Sequence, residues 1–301
     1  MTRPSLQQLV YLVALADHGH FGRAAEACFV SQPALSSQIR ELERRLGVTL
    51  VERLPRGIRL TPAGSAAVAR ARRVLAEVDD LVEEAGVGDD DISGTLAVGA
   101  IPTVAPYVLG GMVPILTSRF PRAQLHLDEL RTVELVAGLR GGTVDLALCA
   151  LPVDDDGLTV APLFDDPLLL ALPAGHGLAA ARGPVDLDEL VHHRVLLLEE
   201  GHCLRDQAAA VCERIGAPIA EVRASSMPTL VQMVAAGVGV TLLPASAAGV
   251  EARPGNGVVV RPFRDPPERT VVMAWRATSP RSGAFAELAR LVRPRFSGLG
   301  R

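Results

Sequence analysis

Apolar residues in the first sixty positions recur three and four residues apart, which is typical of amphipathic helices. The spacing predicts a helix over residues 5–17, a short second helix over residues 21–28, and a third helix that follows the N-cap Ser31 and ends at Gly47. The segment from Val51 to Leu60 is interpreted as a β-ribbon. These elements predict a small helical module that ends in a ribbon.

Small polar side chains lie near the N-terminus of the third helix, where Pro33 is tolerated in the first turn. The apolar stripe of this helix consists of Leu35, Ile39, Leu42 and Leu46. The residues left facing outward are Gln32, Ser36, Ser37, Arg40, Glu43 and Arg44. A helix, a short helix, a turn and such a third helix follow the helix-turn-helix plan. Small polar side chains let a helix enter the major groove, and the ribbon arginines Arg53, Arg56 and Arg59 can contact phosphate.

A long helix is predicted to begin at Thr61-Pro62, with threonine as the cap and proline at the first helical position. Apolar or small residues then alternate at spacings of four and three: Gly64, Val68, Ala71, Leu75, Val78, Val82 and Ala85. This heptad pattern favours a dimerising helix that ends at a hinge over residues 86–91. The alternative is an ordinary amphipathic helix packed on its own domain.

Short β-rich runs alternate with helical patterns from Gly94 onward, which predicts a parallel α/β sheet. The predicted strands lie at residues 95–99, 124–127, 144–148, 194–198 and 239–243. The predicted helices lie at residues 107–119, 133–140, 204–215, 227–236 and 283–292.

The composition limits the classes of protein that fit. The length of 301 residues corresponds to roughly two domains of ~150 residues. No apolar run approaches the ~20 residues needed to cross a bilayer, and the N-terminus lacks the pattern of a signal peptide. We therefore expect a cytoplasmic globular protein with no membrane partner.

Charge is segregated along the chain, although the formal net charge is only −4. Residues 1–73 hold 11 arginines and 5 acidic residues, whereas residues 74–95 hold 8 acidic residues and no arginine. A basic module at one end is the pattern expected of an anion-binding surface. A solvated basic face is the alternative.

Two of the four cysteines occur in a distinctive setting. Cys28 and Cys149 are interpreted as buried small hydrophobic residues, and no pair has the C-x-x-C spacing of a zinc site. Cys203 begins a predicted helix and has His202 and Arg205 close by in sequence. The helix N-terminus and both basic side chains should lower the pKa of the Cys203 thiol. If residues 203–212 are helical, the Cα atoms of Cys203 and Cys212 lie ~13 Å apart. A disulfide between them would require that helix to unwind. Two buried thiols in a ligand-binding lobe are the alternative.

The N-terminal motifs resemble those of the LysR-type transcriptional regulators. The matching segments are residues 24–27, 31–36, 39–43 and 46–47, Arg53, and residues 60–64. The resemblance implies a winged helix-turn-helix domain over residues 1–60 and a linker dimerisation helix over residues 61–90. It assigns base-reading roles to Gln32, Pro33 and Ser36 and backbone roles to Arg53 and Arg56, and we expect Ser37 and Arg40 to add DNA contacts.

The same resemblance implies that residues 91–301 form a regulatory domain with two α/β lobes of the periplasmic-binding-protein type 2. The first lobe would hold about residues 91–163 and 269–301, and the second about residues 164–268. Ligands in such folds bind in the cleft between the lobes, toward which Thr103 and Thr132 would point. Simple N-capping is the alternative for both threonines.

The segment Gly201 to Gln207, with a second cysteine nine residues after the first, resembles the peroxide-sensing subgroup of this family. The resemblance implies that Cys203 is the peroxidatic cysteine and Cys212 the resolving cysteine. The resemblance further implies that Thr103 and Thr132 would position the peroxide and that His202 and Arg205 would stabilise the thiolate and the displaced oxygen. Arg269 matches a further arginine near the switch, and Asp206 would orient Arg205 or the switch loop. No cofactor or metal is expected.

We therefore predict a DNA-binding transcription regulator, not an enzyme, that forms a homodimer or homotetramer. Hydrogen peroxide would oxidise Cys203, a Cys203–Cys212 disulfide would follow, and promoter DNA and RNA polymerase would be the partners. Two alternatives stay open. One is a regulator that binds a small organic ligand in the cleft, and the other is a thiol peroxidase with an appended DNA module.

Overall fold

The computed structural model describes residues 3–86, 92, 94–180 and 183–296. The chain forms two compact units, one of Met1–Gly88 with Arg140–Thr143 and one of Asp89–Leu139 with Val144–Arg301. Among the described residues, no helix is both long enough and apolar enough to cross a membrane.

The N-terminal unit has the helices and the ribbon that the apolar spacing predicts. Its elements are α1 (Leu6–His18), α2 (Phe21–Ala27), α3 (Gln32–Leu46), β1 (Val51–Leu54), β2 (Gly57–Leu60) and α4 (Pro62–Gly86). The Ser31 Oγ accepts a hydrogen bond from the Ala34 N–H, which caps α3, and Gly47 ends the helix in a left-handed conformation. Strands β1 and β2 pair antiparallel as a wing.

The core of this unit is aliphatic. Leu12, Leu15, Leu35, Ile39 and Leu42 are almost fully buried where the three helices meet. The predicted stripe is therefore confirmed except at its end, because Leu46 keeps 40% of its surface exposed.

Helix α4 begins as predicted, since the Thr61 Oγ1 accepts a hydrogen bond from the Gly64 N–H at 2.9 Å. The first part of the heptad seam packs within its own unit: Gly64, Val68 and Ala71 are buried. Leu75 and Val78 are half-buried. Gly86, the first residue of the predicted hinge, is still part of α4. The Val82 and Ala85 side chains and hinge residues 87–91 lie outside the described residues. The first half of the seam thus follows the alternative reading, an amphipathic helix packed on its own domain.

The C-terminal unit is an α/β structure. Its strands are β3 (Gly94–Ala100), β4 (Ala123–Glu129), β5 (Leu146–Ala150), β6 (Leu158–Pro173), β7 (Val195–Leu198), β8 (Ile219–Ala224), β9 (Thr241–Pro244), β10 (Val258–Arg261) and β11 (Glu268–Arg276). Its α-helices are α5 (Ala105–Arg119), α6 (Thr132–Gly141), α7 (Cys203–Ile215), α8 (Met227–Ala235), α9 (Ala245–Glu251) and α10 (Ser282–Phe296).

The sheet is mixed, which corrects the prediction of a parallel sheet. Strand β3 pairs parallel with β4 and β5, but β11 runs antiparallel to both β5 and β6. The reason is that β6 and β11 carry the chain between two lobes in opposite directions. The first part of β6 pairs with β11, and its last part pairs with β9 and β10.

Each lobe has its own hydrophobic core. One core surrounds β3, β5 and β11 and includes Phe120, Trp275 and Phe285. The other includes Leu170, Leu196, Leu242 and the buried Cys212. The ends of β3, β4 and β7 and the start of α7 provide the residues of the site described next.

Candidate cysteine site and DNA-reading surface

Helix α7 carries two cysteines in different surroundings. Cys203 is its first residue and is half-buried, whereas Cys212 lies two and a half turns later and is fully buried. The helix is continuous from Cys203 to Ile215. At about 1.5 Å per residue, the two Cα atoms are therefore ~13 Å apart, well beyond disulfide range.

A tight cavity, with no room for a molecule the size of water, lies at the N-terminus of α7. The residues that line it are Ile101, Pro102, Thr103, Arg131, Thr132, Gly201, His202 and Cys203. Four residues predicted from the sequence, Thr103, Thr132, His202 and Cys203, are thus brought together. Thr132 Oγ1 and His202 Nε2 are buried and have no hydrogen-bond partner of normal geometry among the described residues.

Arg269 lies beneath this cavity in a fully buried network. Its guanidinium donates to Thr103 Oγ1 and to the Thr103 carbonyl, both at 3.0 Å, and to Asp166 Oδ2 at 3.0 and 3.1 Å. Asp166 also accepts hydrogen bonds from the N–H and the hydroxyl of Ser246. Each nitrogen of the guanidinium and each oxygen of the carboxylate therefore has a hydrogen-bond partner, as a buried charge requires.

Asp166 and Ser246 were missed by the sequence reasoning, although Asp166 carries a usable signal. It is an acidic residue within the apolar strand β6, where an unpaired carboxylate would be costly. Such a position predicts a buried cation nearby. The sequence does not say which of the 30 arginines provides it.

The expected pKa of Cys203 is corrected by the structure. Burial raises the pKa of the thiol above its ordinary value, and this effect outweighs the lowering by Arg269, Thr132, the Leu204 N–H and Thr103. His202 supplies no positive charge, because burial and the nearby Arg131 lower its own pKa. The thiol is therefore held protonated at rest, with groups around it that favour the thiolate.

Arg205 does not act on the thiol as the sequence predicted. Its guanidinium forms ion pairs with Asp206 at 3.0 Å and with Glu200 at 3.6 Å. Asp206 thus contacts Arg205, as expected, on the outer side of α7. The cation that lowers the Cys203 pKa is instead Arg269, which lies 66 positions later in the sequence.

The other thiols are in apolar surroundings. Burial raises the pKa of Cys212 to about 11 and that of Cys149 to about 12. Burial also raises the pKa of Cys28, which is half-buried against the helical core. All three thiols are therefore protonated and packed at neutral pH.

The predicted DNA-reading residues lie on one end of α3 and on the wing. Gln32, Pro33, Ser37 and Arg40 are exposed. Ser36 is not: only 7% of its surface is exposed, and its hydroxyl accepts a hydrogen bond from Arg53 Nη2 at 2.6 Å. The outward orientation predicted for Ser36 is therefore wrong, because Arg53 covers it.

Arg53 is fixed against α2 and α3 at the base of the wing. Its guanidinium carbon lies 4.4 Å from the centroid of the Phe21 ring, a cation–π contact. Arg56 lies exposed at the turn of the wing, while Arg59 pairs with Glu52 at 2.6 Å. The wing thus presents three exposed arginines beside the exposed end of α3, and of these Arg59 is paired with Glu52.

Comparison with known proteins gives a family match for each of the two units. Residues 6–65 match the model of the bacterial regulatory helix-turn-helix proteins of the lysR family, and residues 89–297 match the LysR substrate binding domain. A winged helix-turn-helix unit and a two-lobed α/β unit in one chain define a class of bacterial DNA-binding regulators. The chain belongs to this class, the LysR family of transcription regulators.

Within this family, OxyR proteins are among the relatives that it resembles. It is 45% identical over 296 residues to the DNA-binding transcriptional dual regulator OxyR of Escherichia coli K12, covering 98% of this chain and 96% of that protein. A full-length OxyR variant from Pseudomonas aeruginosa is 39% identical with a TM-score of 0.82, covering 99% of this chain and 100% of that one. A peroxide-bound variant of Corynebacterium glutamicum OxyR is 36% identical with a TM-score of 0.65, covering 98% and 93%.

Proposed function

We propose that this regulator responds to hydrogen peroxide by oxidation of Cys203. The observation that carries the proposal is the placement of the Cys203 thiol in a small cavity with two threonines, above a buried arginine. The family relatives named above include a peroxide-bound structure, which supports the same ligand. A small organic ligand would need a cavity of ≈300–1,000 Å³, whereas this cavity has no room even for a water-sized molecule until a side chain moves, which favours the much smaller peroxide.

The polar groups of the cavity suit a peroxide. Thr103 Oγ1 accepts from Arg269, so its own proton is directed away from the guanidinium and can be donated to the Cys203 sulfur or to a peroxide oxygen. Thr132 Oγ1 is buried and has no hydrogen bond of normal geometry among the described residues, so it can hold the second oxygen. Arg269 supplies a fixed positive charge where negative charge develops during cleavage of the O–O bond.

The chemistry proceeds in two balanced steps. The Cys203 thiolate attacks one peroxide oxygen, the O–O bond breaks, and the products are the Cys203 sulfenic acid and hydroxide, which takes up the proton lost by the thiol. The Cys212 thiol then attacks the Cys203 sulfur, and a disulfide and water are formed. Across both steps, the two thiols give up two electrons, one from each sulfur, and the peroxide is reduced to two molecules of water.

The second step demands a rearrangement of α7. The two Cα atoms must approach from ~13 Å to about 4.4–6.8 Å, so the helix between them has to unwind. The segment Ala208–Ala210 carries small side chains, which keeps the loss of packing modest. Extraction of Cys212 from its apolar core would reshape the second lobe and provide a two-state switch.

The output of the switch would be the occupancy of promoter DNA in the cytoplasm and contact with RNA polymerase. We propose that the regulator acts as a homodimer or homotetramer, which places two α3 helices on successive half-sites. An apolar groove of about 430 Å³ within the N-terminal unit, lined in part by Leu6, Leu46 and Val74, supports an additional chain packing there.

The deciding experiment is a peroxide titration of the reduced protein with thiols mapped by mass spectrometry. We expect one Cys203–Cys212 disulfide per chain at low peroxide excess. Cys212→Ser should stop at sulfenic or sulfinic Cys203, and the control Cys28→Ser should behave like the wild type. The proposal fails if Cys203 stays reduced while another thiol is oxidised.

Turnover distinguishes a regulator from a thiol peroxidase. With a thiol reductant present, a regulator should consume peroxide slowly. The fraction of protein with the disulfide should then reach a constant value. Rapid peroxide consumption over many cycles would instead indicate a peroxidase.

A further inference from the structure

An ion pair lies beside the Cys203 cavity. Arg131 Nη2 lies 2.6 Å from Glu199 Oε1, and Arg131 is one of the residues that line the cavity. Arg131 follows β4 in the first lobe, and Glu199 follows β7 in the second lobe. The pair therefore joins the two lobes directly beside the proposed reactive thiol.

Arg131 lies flat on Gly201, which leads into α7. A Cβ added to Gly201 would stand 3.2 Å from both Cδ and Nη1 of Arg131. Gly201 has φ of +93°, a conformation that favours glycine. This glycine therefore allows the arginine side chain to lie close against the segment that carries His202 and Cys203.

The backbones at both ends of the pair are fixed while its side chains are exposed. The Arg131 N–H donates to Glu134 Oε2 at 3.0 Å, and the Glu199 N–H donates to the Ala224 carbonyl at 2.8 Å. The Arg131 and Glu199 side chains are 47% and 40% exposed. Exposed pairs of this kind are weak, so the contact should open often.

Entry to the cavity requires a side chain to move, since the void has no room even for a molecule the size of water. Of the eight described residues that line it, Arg131 has the one long side chain that is exposed. We infer that the Arg131–Glu199 pair gates the Cys203 cavity and selects oxidants by size, favouring hydrogen peroxide over bulkier organic hydroperoxides. The inference rests on the proposed oxidation of Cys203.

The test compares two oxidants on the full-length protein. The rate constant for Cys203 oxidation is measured with hydrogen peroxide and with tert-butyl hydroperoxide, for the wild type, Glu199→Gln and Arg131→Ala. We expect both variants to react about two- to fivefold faster with hydrogen peroxide, the range that loss of an exposed ion pair allows. The gain with tert-butyl hydroperoxide should be larger, so the selectivity ratio falls.

The two variants separate a gate from a simple charge effect. Glu199→Gln leaves Arg131 unpaired and would favour the thiolate, whereas Arg131→Ala removes a positive charge and would disfavour it. A charge effect therefore moves the two rates in opposite directions and leaves the selectivity ratio unchanged. That result would overturn the inference.

Salt and a neighbouring ion pair provide the controls. Both oxidants are uncharged, so added salt should speed the wild type by weakening the pair and should leave Glu199→Gln unaffected. Arg223→Gln breaks the nearby Arg223–Glu200 pair, 3.1 Å in length, which does not line the cavity, and it should retain wild-type selectivity. Equal ratios in the wild type and both gate variants would contradict the gate.

Alkylation of Cys203 tests the gate independently of the proposed function. The accessibility of Cys203 to iodoacetamide and to a bulky maleimide does not depend on peroxide chemistry. If Cys203 fails to react with peroxide in the wild type, the proposed function is wrong. If the two gate variants alkylate no faster than the wild type with the bulky reagent, the gate is wrong.

Discussion

The proposed DNA-reading surface and the cysteine site each contain an arginine that donates a hydrogen bond to a side-chain hydroxyl, but in opposite surroundings. In the N-terminal unit, Arg53 Nη2 donates to Ser36 Oγ at 2.6 Å, and the arginine is exposed. In the C-terminal unit, Arg269 Nη1 donates to Thr103 Oγ1 at 3.0 Å, and the arginine is buried with Asp166. Water can solvate the first arginine, whereas the second depends on its carboxylate.

Because of this difference, removal of the exposed arginine and removal of the buried arginine should have different consequences. Removal of an exposed arginine leaves no buried charge without its counterion, so we expect changes in binding with little change in stability. Removal of a buried arginine leaves a buried carboxylate without its counterion, so we expect both stability and chemistry to suffer. The four predictions below test this contrast from the buried region to the exposed one.

The largest effect should follow Arg269→Met. The substitution leaves Asp166 buried without a cation, which costs about 3–5 kcal/mol of unfolding free energy. Urea denaturation of the reduced protein measures it. The same variant should oxidise more slowly at Cys203, because Arg269 lowers the pKa of that thiol.

A double variant sharpens this prediction. Arg269→Met with Asp166→Asn removes both charges and should recover a large part of the lost stability. The exposed Arg223→Met is the matched control and should change stability by less than about 1 kcal/mol. An Arg269→Met protein as stable as the control would refute the contrast between buried and exposed arginines.

The next effect concerns pH and the other end of α7. Burial raises the pKa of Cys212 to about 11 from an ordinary value of 9.0. The folded protein therefore binds the Cys212 proton more tightly than the unfolded chain does between these values. This contribution to stability is complete below pH 9 and is lost as pH rises toward 11, by about 2–3 kcal/mol.

Denaturation of the reduced protein at pH 8 and pH 11 measures this loss. Cys212→Ala should lose less stability than the wild type between the two pH values. Val211→Ala truncates the neighbouring side chain without removing a titrating group and should keep the wild-type difference. If Cys212→Ala and Val211→Ala show the same pH dependence of stability, burial does not raise the pKa of Cys212.

The same contrast explains which features were predictable from sequence. Helices α1 to α3, the Ser31 cap and the wing depend on residues close together in the chain, and local spacing predicted them. The Arg269–Asp166 pair joins residues 103 positions apart, so no local pattern could reveal it. The mixed sheet escaped prediction for a similar reason, because strand direction depends on how β6 and β11 cross between lobes.

Two errors at the site arose from treating sequence neighbours as spatial partners. Arg205 lies two residues after Cys203, but its side chain points toward Glu200 and Asp206. His202 adjoins Cys203, but burial lowers its pKa and keeps it uncharged. Side-chain direction and solvation determine such effects, and neither is visible in the order of residues.

A smaller effect is expected on the exposed side from Arg53→Met. Loss of one phosphate contact should weaken binding to all DNA sequences about equally and reduce the salt dependence by about one ion. Fluorescence anisotropy over a range of salt concentrations measures both. Stability should change by less than about 1 kcal/mol, since the arginine is exposed.

Gln32→Ala is the companion variant, because Gln32 is an exposed residue at the start of α3. It should change the preference among DNA sequences while leaving the salt dependence nearly unchanged. Ser36→Ala should resemble a mild form of Arg53→Met, since it removes the hydroxyl that holds the arginine. The assignment of the reading surface would be untenable if all three variants bound DNA as the wild type does.

The smallest effect is a gain in stability from Phe29→Asn. Phe29 precedes α3 with φ of +54° and is 96% exposed, so the native structure strains its backbone and gains little from packing its ring. Asparagine tolerates this left-handed conformation better than a bulky aromatic residue does. We expect a gain of about 0.5–1 kcal/mol in the unfolding free energy of the N-terminal unit.

Thermal denaturation measures this gain, and Val30→Asn is the control. Val30 is half-buried at a position with negative φ, so the control variant should be less stable than the wild type. A loss of stability in Phe29→Asn would mean that the exposed ring packs against another chain. The surface around Phe29 would then be a contact surface and not a solvent-exposed one.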